Sequence, residues 1–144
     1  MPTIMNRLIT ILAAIAVLFV QIPAIAGEPS SGPANTAEQF YAGYLVLVNA
    51  EKDTMSCVAD SKLVTRNFKR WYAKQMSTES VEVDPVLEAQ DTPTTPFKAI
   101  KSTIQGTTAT VILRATYSKE TEKLNVHTVQ SNGVWQVDAV SAVK

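Results

Sequence analysis

The chain has 144 residues, with 13 basic and 13 acidic side chains, so no net charge draws it to nucleic acid. Cys57 is the only cysteine and His127 the only histidine. An intramolecular disulfide is excluded, a closed zinc site lacks ligands, and no His-Glu-x-x-His or paired Cys-x-x-Cys spacing occurs. No Gly-x-Ser-x-Gly elbow or phosphate-cradling glycine loop is present, so the residues assign no catalytic group, metal or cofactor.

Arg7 precedes a predominantly apolar run from Leu8 to Val20; Pro23 interrupts it, and Ala24-Ile25-Ala26 offers the small residues of a cleavage site. Residues 1–26 read as a secretory signal peptide, too short in its apolar part to span a bilayer. The expectation is export to the periplasm or beyond, with no transmembrane anchor after cleavage. Cys57 lies far from the cleavage site, which argues against a lipid anchor there. As a small apolar residue without a neighbouring His, it is expected to be buried.

Residues 27–35, rich in Gly, Pro and Ser, read as a flexible leader to a single domain over 36–144. Thr36 with Gln39, or Asn35 with Glu38, has capping-box chemistry; Phe40, Tyr41, Tyr44, Leu47 and Val48 then recur on one helical face to about Asn49. Asp60 or Ser61 is placed to cap a second helix. Its apolar stripe is Val64, Phe68, Trp71 and Tyr72, and its back carries Lys62, Arg66, Lys69 and Arg70. Such a basic face suits anionic lipid, an acidic partner or cell-wall acids; the preferred reading is a solvated face partly neutralised by the acidic segment that follows.

That segment, 78–96, contains Pro85, Pro93 and Pro96 along with Glu79, Glu82, Asp84, Glu88 and Asp91, and reads as a long loop with one short turn at Val86 to Gln90. Asp84, Gln90 and Asp91 are expected to organise that turn by bonding backbone groups.

From Phe97 the period becomes two. Lys98–Gln105, Thr108–Tyr117, Leu124–Gln130 and Val134–Val140 read as four strands of an antiparallel meander, which two helices cover on its apolar face. Phe68, Trp71 and Tyr72 are expected to seal it. Asn132-Gly133 predicts a two-residue turn of type I′, which sets Gln130 opposite Trp135, Thr128 opposite Val137, Val126 opposite Ala139 and His127 opposite Asp138. Val126, Val137 and Trp135 then share the covered face. His127 and Asp138 form an outward cross-strand pair, and Val129, Val140 and Ile112 share its face.

The helix with Phe40-Tyr41-Ala42-Gly43-Tyr44-Leu45, the segment Asp84-Pro85-Val86-Leu87-Glu88-Ala89-Gln90-Asp91, and the strand Gly133-Val134-Trp135-Gln136-Val137-Asp138 together resemble the DUF3828 family. Its members are exported or lipid-anchored bacterial envelope proteins of uncharacterised function, similar to the NTF2-like superfamily. The resemblance implies an α+β NTF2-like cone, with two N-terminal helices packed on a curved four-stranded antiparallel sheet. It implies no particular activity, because that fold hosts enzymes and non-enzymes alike. Within such a cone, Tyr41, Tyr44, Tyr72 and Trp135 are candidates to bind a small ligand at the mouth, with core packing as the plainer alternative. His127 and Asp138 match the acid–base dyads of some proteins similar to this fold, but the register turns them outward.

The favoured function is a non-catalytic envelope module that binds a protein partner or small ligand, without nucleic acid. Alternatives are a small lyase, isomerase or hydrolase with its site in the cone, and an obligate homodimer formed through the open sheet face.

Overall fold

The computed structural model describes residues 32–78 and 81–144. The expected signal peptide, the expected leader up to Ser31, and Glu79 lie outside the described residues.

Helix α1, Pro33–Asn49, begins earlier than the Asn35 or Thr36 expected from the capping box. Pro33 supplies the start instead: its ring presets a helical φ, and its missing N–H is one that a first turn leaves unpaired in any case. Gly32 is the cap residue and contributes no side-chain bond. Glu38, freed from capping, reaches across to the sheet; its Oε1 accepts the Ala99 N–H at 2.8 Å and its Oε2 lies 3.2 Å from Lys98 Nζ. At the other end Glu51 adopts φ 52°, and the Lys52 N–H closes on the Leu47 carbonyl.

Two further helices stand where one was expected. Helix α2, Thr54–Asp60, is capped by Asp53, whose carboxylate accepts the Met55 and Ser56 N–H groups and the Ser56 hydroxyl. The Ser56 bonds, side chain first, hold the Asp53 carboxyl below its usual range. Asp60 therefore ends a helix. Helix α3, Arg66–Met76, is capped by Thr65, whose Oγ1 accepts the Phe68 N–H. Between them Leu63 to Thr65 run extended and pair in parallel with Val137.

The sheet is an antiparallel meander in the order β1 (Lys98–Gln105), β2 (Thr108–Tyr117), β3 (Glu120–Ser131), β4 (Val134–Ala142). β1 and β2 have the bounds expected from the alternation. β3 starts earlier than Leu124, because Ser118-Lys119 alone makes the turn and the polar residues Glu120 to Lys123 continue the strand. Asn132 and Gly133 both have positive φ, 51° and 78°, as a type I′ turn requires.

The register from that turn holds for Ser131–Val134 through Thr128–Val137, and then slips. A bulge makes Ala139, not Asp138, the partner of His127, and Val140, not Ala139, the partner of Val126. At the bulge, β4 is engaged from outside. Val137 exchanges backbone bonds with Leu63 and Thr65, and Asp138 accepts the Thr65 hydroxyl. The slip carries Val140 from the outer face to the inner one, where it packs on the core.

Helix α1 lies across all four strands, while α3 sits on the β4 flank against α2. Phe40, Tyr41, Tyr44 and Leu45 of α1 meet Val111, Leu113, Leu124, Val126 and Val137 of the sheet, with Phe68 and Tyr72 filling the flank. Phe68 meets Phe40 edge-on at 5.3 Å. Trp71 is only half-buried, packed on Phe68 at 5.1 Å, so α1 and not the Trp71 face of α3 is the main cover. Cys57 is exposed on α2, contrary to the expected burial, since this short helix buries only Val58. No helix among the described residues is long and apolar enough to cross a membrane.

Candidate functional site

The Asp84–Asp91 segment is a closed loop locked onto the core. Asp84 Oδ1 accepts the N–H groups of Val86 (2.8 Å) and Leu87 (3.0 Å), and backbone bonds join Asp84 N–H to the Ala89 carbonyl and Glu88 N–H to the Asp84 carbonyl. Asp84 thus organises the turn as its side-chain chemistry predicts. Gln90 and Asp91 take no part in the turn's bonds and stand exposed. Val86 and Leu87 are driven fully into the core.

Three of the four residues expected at a ligand site hold this loop. Tyr41 donates to the Val86 carbonyl at 2.9 Å, and Tyr44 donates to Asp84 Oδ2 at 2.8 Å. Tyr72 lies 3.0 Å from Tyr44 and 2.7 Å from the Thr54 hydroxyl. Each hydroxyl carries one proton, and the carboxylate can only accept. Tyr72 donates to Thr54 and Tyr44 to Asp84, so the linked side chains run from Thr54 through Tyr72 and Tyr44 to Asp84.

Burial, then the nearby Asp84 charge and the other side chains, pushes the Tyr41 hydroxyl well above its ordinary value. Burial first and the bond to Tyr72 second raise Tyr44, and burial raises Tyr72. All three are neutral hydrogen-bonding struts, not bases. Trp135 is buried near the β3–β4 turn, outside the main core cluster, and does not join them.

His127 and Asp138 do meet: Nδ1 lies 3.8 Å from Oδ2, on the face away from the helices, with the imidazole side chain 44% exposed. The other Asp138 oxygen takes the Thr65 hydroxyl at 2.6 Å. In a hydroxyl–imidazole–carboxylate triad the imidazole stands in the middle; here the carboxylate does, so the hydroxyl meets Asp138 and not the imidazole. The arrangement ties the α3 cap to the sheet.

The loop's exposed side forms one wall of a cleft of about 440 Å³, and the β2–β3 turn forms the other. Glu88 and Asp91 face Glu120 and Glu122 across it, with Lys119 as the one cation among the described residues that line it. Tyr117 also lines the cleft; it is 9% exposed, and its Oη is buried without a hydrogen-bond partner. Burial, then the charges of Glu122 and Asp84, pushes its ionisation up to about 12. The sequence carried a signal for this place: Tyr117, Glu120 and Glu122 share one face across a two-residue turn. Reading Ser118 to Lys123 as a loop hid it.

Lys62, before α3, and Arg66 and Arg70 of α3 stand exposed, as a solvated basic face requires. Among the described residues Lys62, Arg66, Lys69 and Arg70 make no ion pair, and Arg70 donates to Asn67 instead. No group of metal-ligating side chains occurs among the described residues.

The fold is thus an α+β one, with a four-stranded antiparallel meander under three helices. No family model and no curated protein matches the chain. It is similar to a chain in the crystal structure of the type VI native effector-immunity complex Tae3-Tai3 from Ralstonia pickettii. The TM-score is 0.65 at 14% identity, over 81% of this chain and 98% of that one. At that identity the likeness is one of fold.

Proposed function

We propose that this chain is an exported protein-binding module of the effector-immunity kind, one that occupies a partner protein and does not transform a substrate. The observation that carries the reading is the fold likeness, which spans nearly all of a chain found in an effector-immunity complex. The disposition of polar groups supports it. The core tyrosines are spent on holding the Asp84 loop, and the Thr65, Asp138 and His127 cluster is spent on holding α3. The charged side chains of the cleft are left to meet something outside.

Export through residues 1–26 and kinship with the DUF3828 and NTF2-like proteins belong to the same proposal, resting on the sequence features described above. A binding protein that intercepts an effector in the envelope has to leave the cytoplasm.

The test is genetic and has two arms. Deleting the gene is expected to make cells sensitive to contact with unmodified sister cells, and the full chain is expected to restore protection. A version lacking residues 1–26 is expected to fail. Deletion cells that grow normally beside their sisters would remove the immunity reading, and rescue by the leaderless version would remove the envelope location.

A further inference from the structure

Four carboxylates and one ammonium around a single cleft would ordinarily be a solvated acidic surface. The cleft is set apart by Tyr117. A buried hydroxyl without a partner is uncommon, because the group gives up its bonds to water and gets nothing in return. Tyr117 is nine-tenths buried, and the field of Glu122, a wall of the same cleft, reaches its hydroxyl. As a neutral phenol it has free lone pairs to accept a bond. Glu120 and Glu122 stand on its own sheet face, and Glu88 and Asp91 come from the loop opposite.

A ligand that suits this set brings several N–H donors on one planar cation. A guanidinium has five in a fixed fork, which a point-like ammonium lacks. We infer that the cleft between the Asp84 loop and the β2–β3 turn receives an arginine side chain of the partner protein, with Tyr117 Oη and the carboxylates of Glu88 and Glu122 as its acceptors. The inference rests on the protein-binding reading for the source of the arginine, and it names where that partner docks. The openness of the cleft to solvent, with its carboxylates exposed at the rim, suits a side chain presented from another surface.

The probe is Nα-acetyl-arginine amide, titrated into the isotopically labelled domain and followed through the backbone amides of 88–92 and 117–122. Saturating shifts confined to those amides are expected, with a Kd on the order of millimolar as befits one partly exposed side chain. The neutral acetyl-citrulline amide is expected to give none. The double variant Glu88→Gln and Glu122→Gln should weaken binding by about fivefold or more. Tyr117→Phe should weaken it by about two- to tenfold, the worth of one hydrogen bond.

Tyr117→Phe is also expected to leave the denaturation midpoint unchanged or higher, since it removes an unpaired buried group. A merely structural hydroxyl would lower the midpoint and leave binding alone. Absent or unsaturable shifts, equal shifts with citrulline, or saturation of the same amides by calcium chloride at lower concentration would overturn the inference. Because the probe is a small molecule, a silent cleft does so without touching the immunity reading, which the deletion and rescue judge separately.

Discussion

Tyr44 and Tyr117 are both buried tyrosines beside the Asp84 loop, and their hydroxyls meet opposite fates. Tyr44 sits inside a chain of bonds that ends on a carboxylate, while Tyr117 has no partner. The first was bought into the fold by its bonds; the second is an unreturned desolvation cost that only an outside group can offset. Polar atoms that look alike in sequence therefore separate into struts and receptors by one test, whether each is satisfied within the chain.

The largest test of the strut side is Asp84→Ala, which strands the Tyr44 hydroxyl and the Val86 and Leu87 N–H groups together. A loss of about 3 kcal/mol or more is expected in urea unfolding, since each such bond to a charged acceptor is worth ~1.5 kcal/mol or more. A loss below about 1 kcal/mol would mean that Val86 and Leu87 hold the loop by packing alone. Tyr44→Phe removes the donor to Asp84 together with the contact to Tyr72, and should cost about 1–2 kcal/mol. A cost equal to that of Asp84→Ala would show that the chain acts only as a unit.

Trp71→Ala probes the apolar flank without touching either hydroxyl. Because the indole is half-buried on Phe68, about 1–2 kcal/mol is expected, less than a fully buried aromatic would lose. A loss of ~4 kcal/mol would show that α3, and not α1, is the principal cover.

The smallest effect belongs to Tyr117→Phe, a change within about 1 kcal/mol and not unfavourable. Its pH dependence sharpens the contrast. The folded-state value of Tyr117 is raised to about 12, so its contribution is fully present below the ordinary tyrosine value near ~10 and is lost as pH rises through the raised one. Urea midpoints measured from about pH 9 to about pH 12 should fall with pH in the parent and less steeply in Tyr117→Phe. Identical slopes would place the alkaline loss in Tyr41, Tyr44 and Tyr72 alone.

Much of the architecture was legible because it is periodic. β2 alternates cleanly between its turns, and Asn132-Gly133 admits one turn type, so the first pairs of the last hairpin followed from arithmetic. The bulge did not, because nothing local in Asp138-Ala139-Val140 records that Leu63 to Thr65 pair with the far side of β4. Helix α2 was invisible for a related reason. It is too short for an apolar stripe, and its one strong signal is Asp53 followed by Ser56.

Of the candidate site, Asp84 as the organiser of its turn could be read from side-chain chemistry. That Tyr41 and Tyr44 are its clamps could not, since helical spacing marks them only as core. Tyr117 as an orphan is a property of what surrounds it, which no single strand of sequence contains.

The two margins of the sheet are treated differently, and this bears on the solubility of the chain. β4 has its outer margin occupied by Leu63 to Thr65, whereas among the described residues the outer margin of β1, which carries exposed Ile100 and Ile104, is met only by the Glu38 bond to Ala99. An uncovered strand of that kind is a template for recruiting a neighbouring chain, with growth toward fibrils as the hazard. Lys98, Lys101 and the kink between Ala99 and Lys101 oppose it, because each additional copy would have to bury a charge or straighten the bend. One margin of the sheet is thus guarded by the chain's own backbone and the other by lysine.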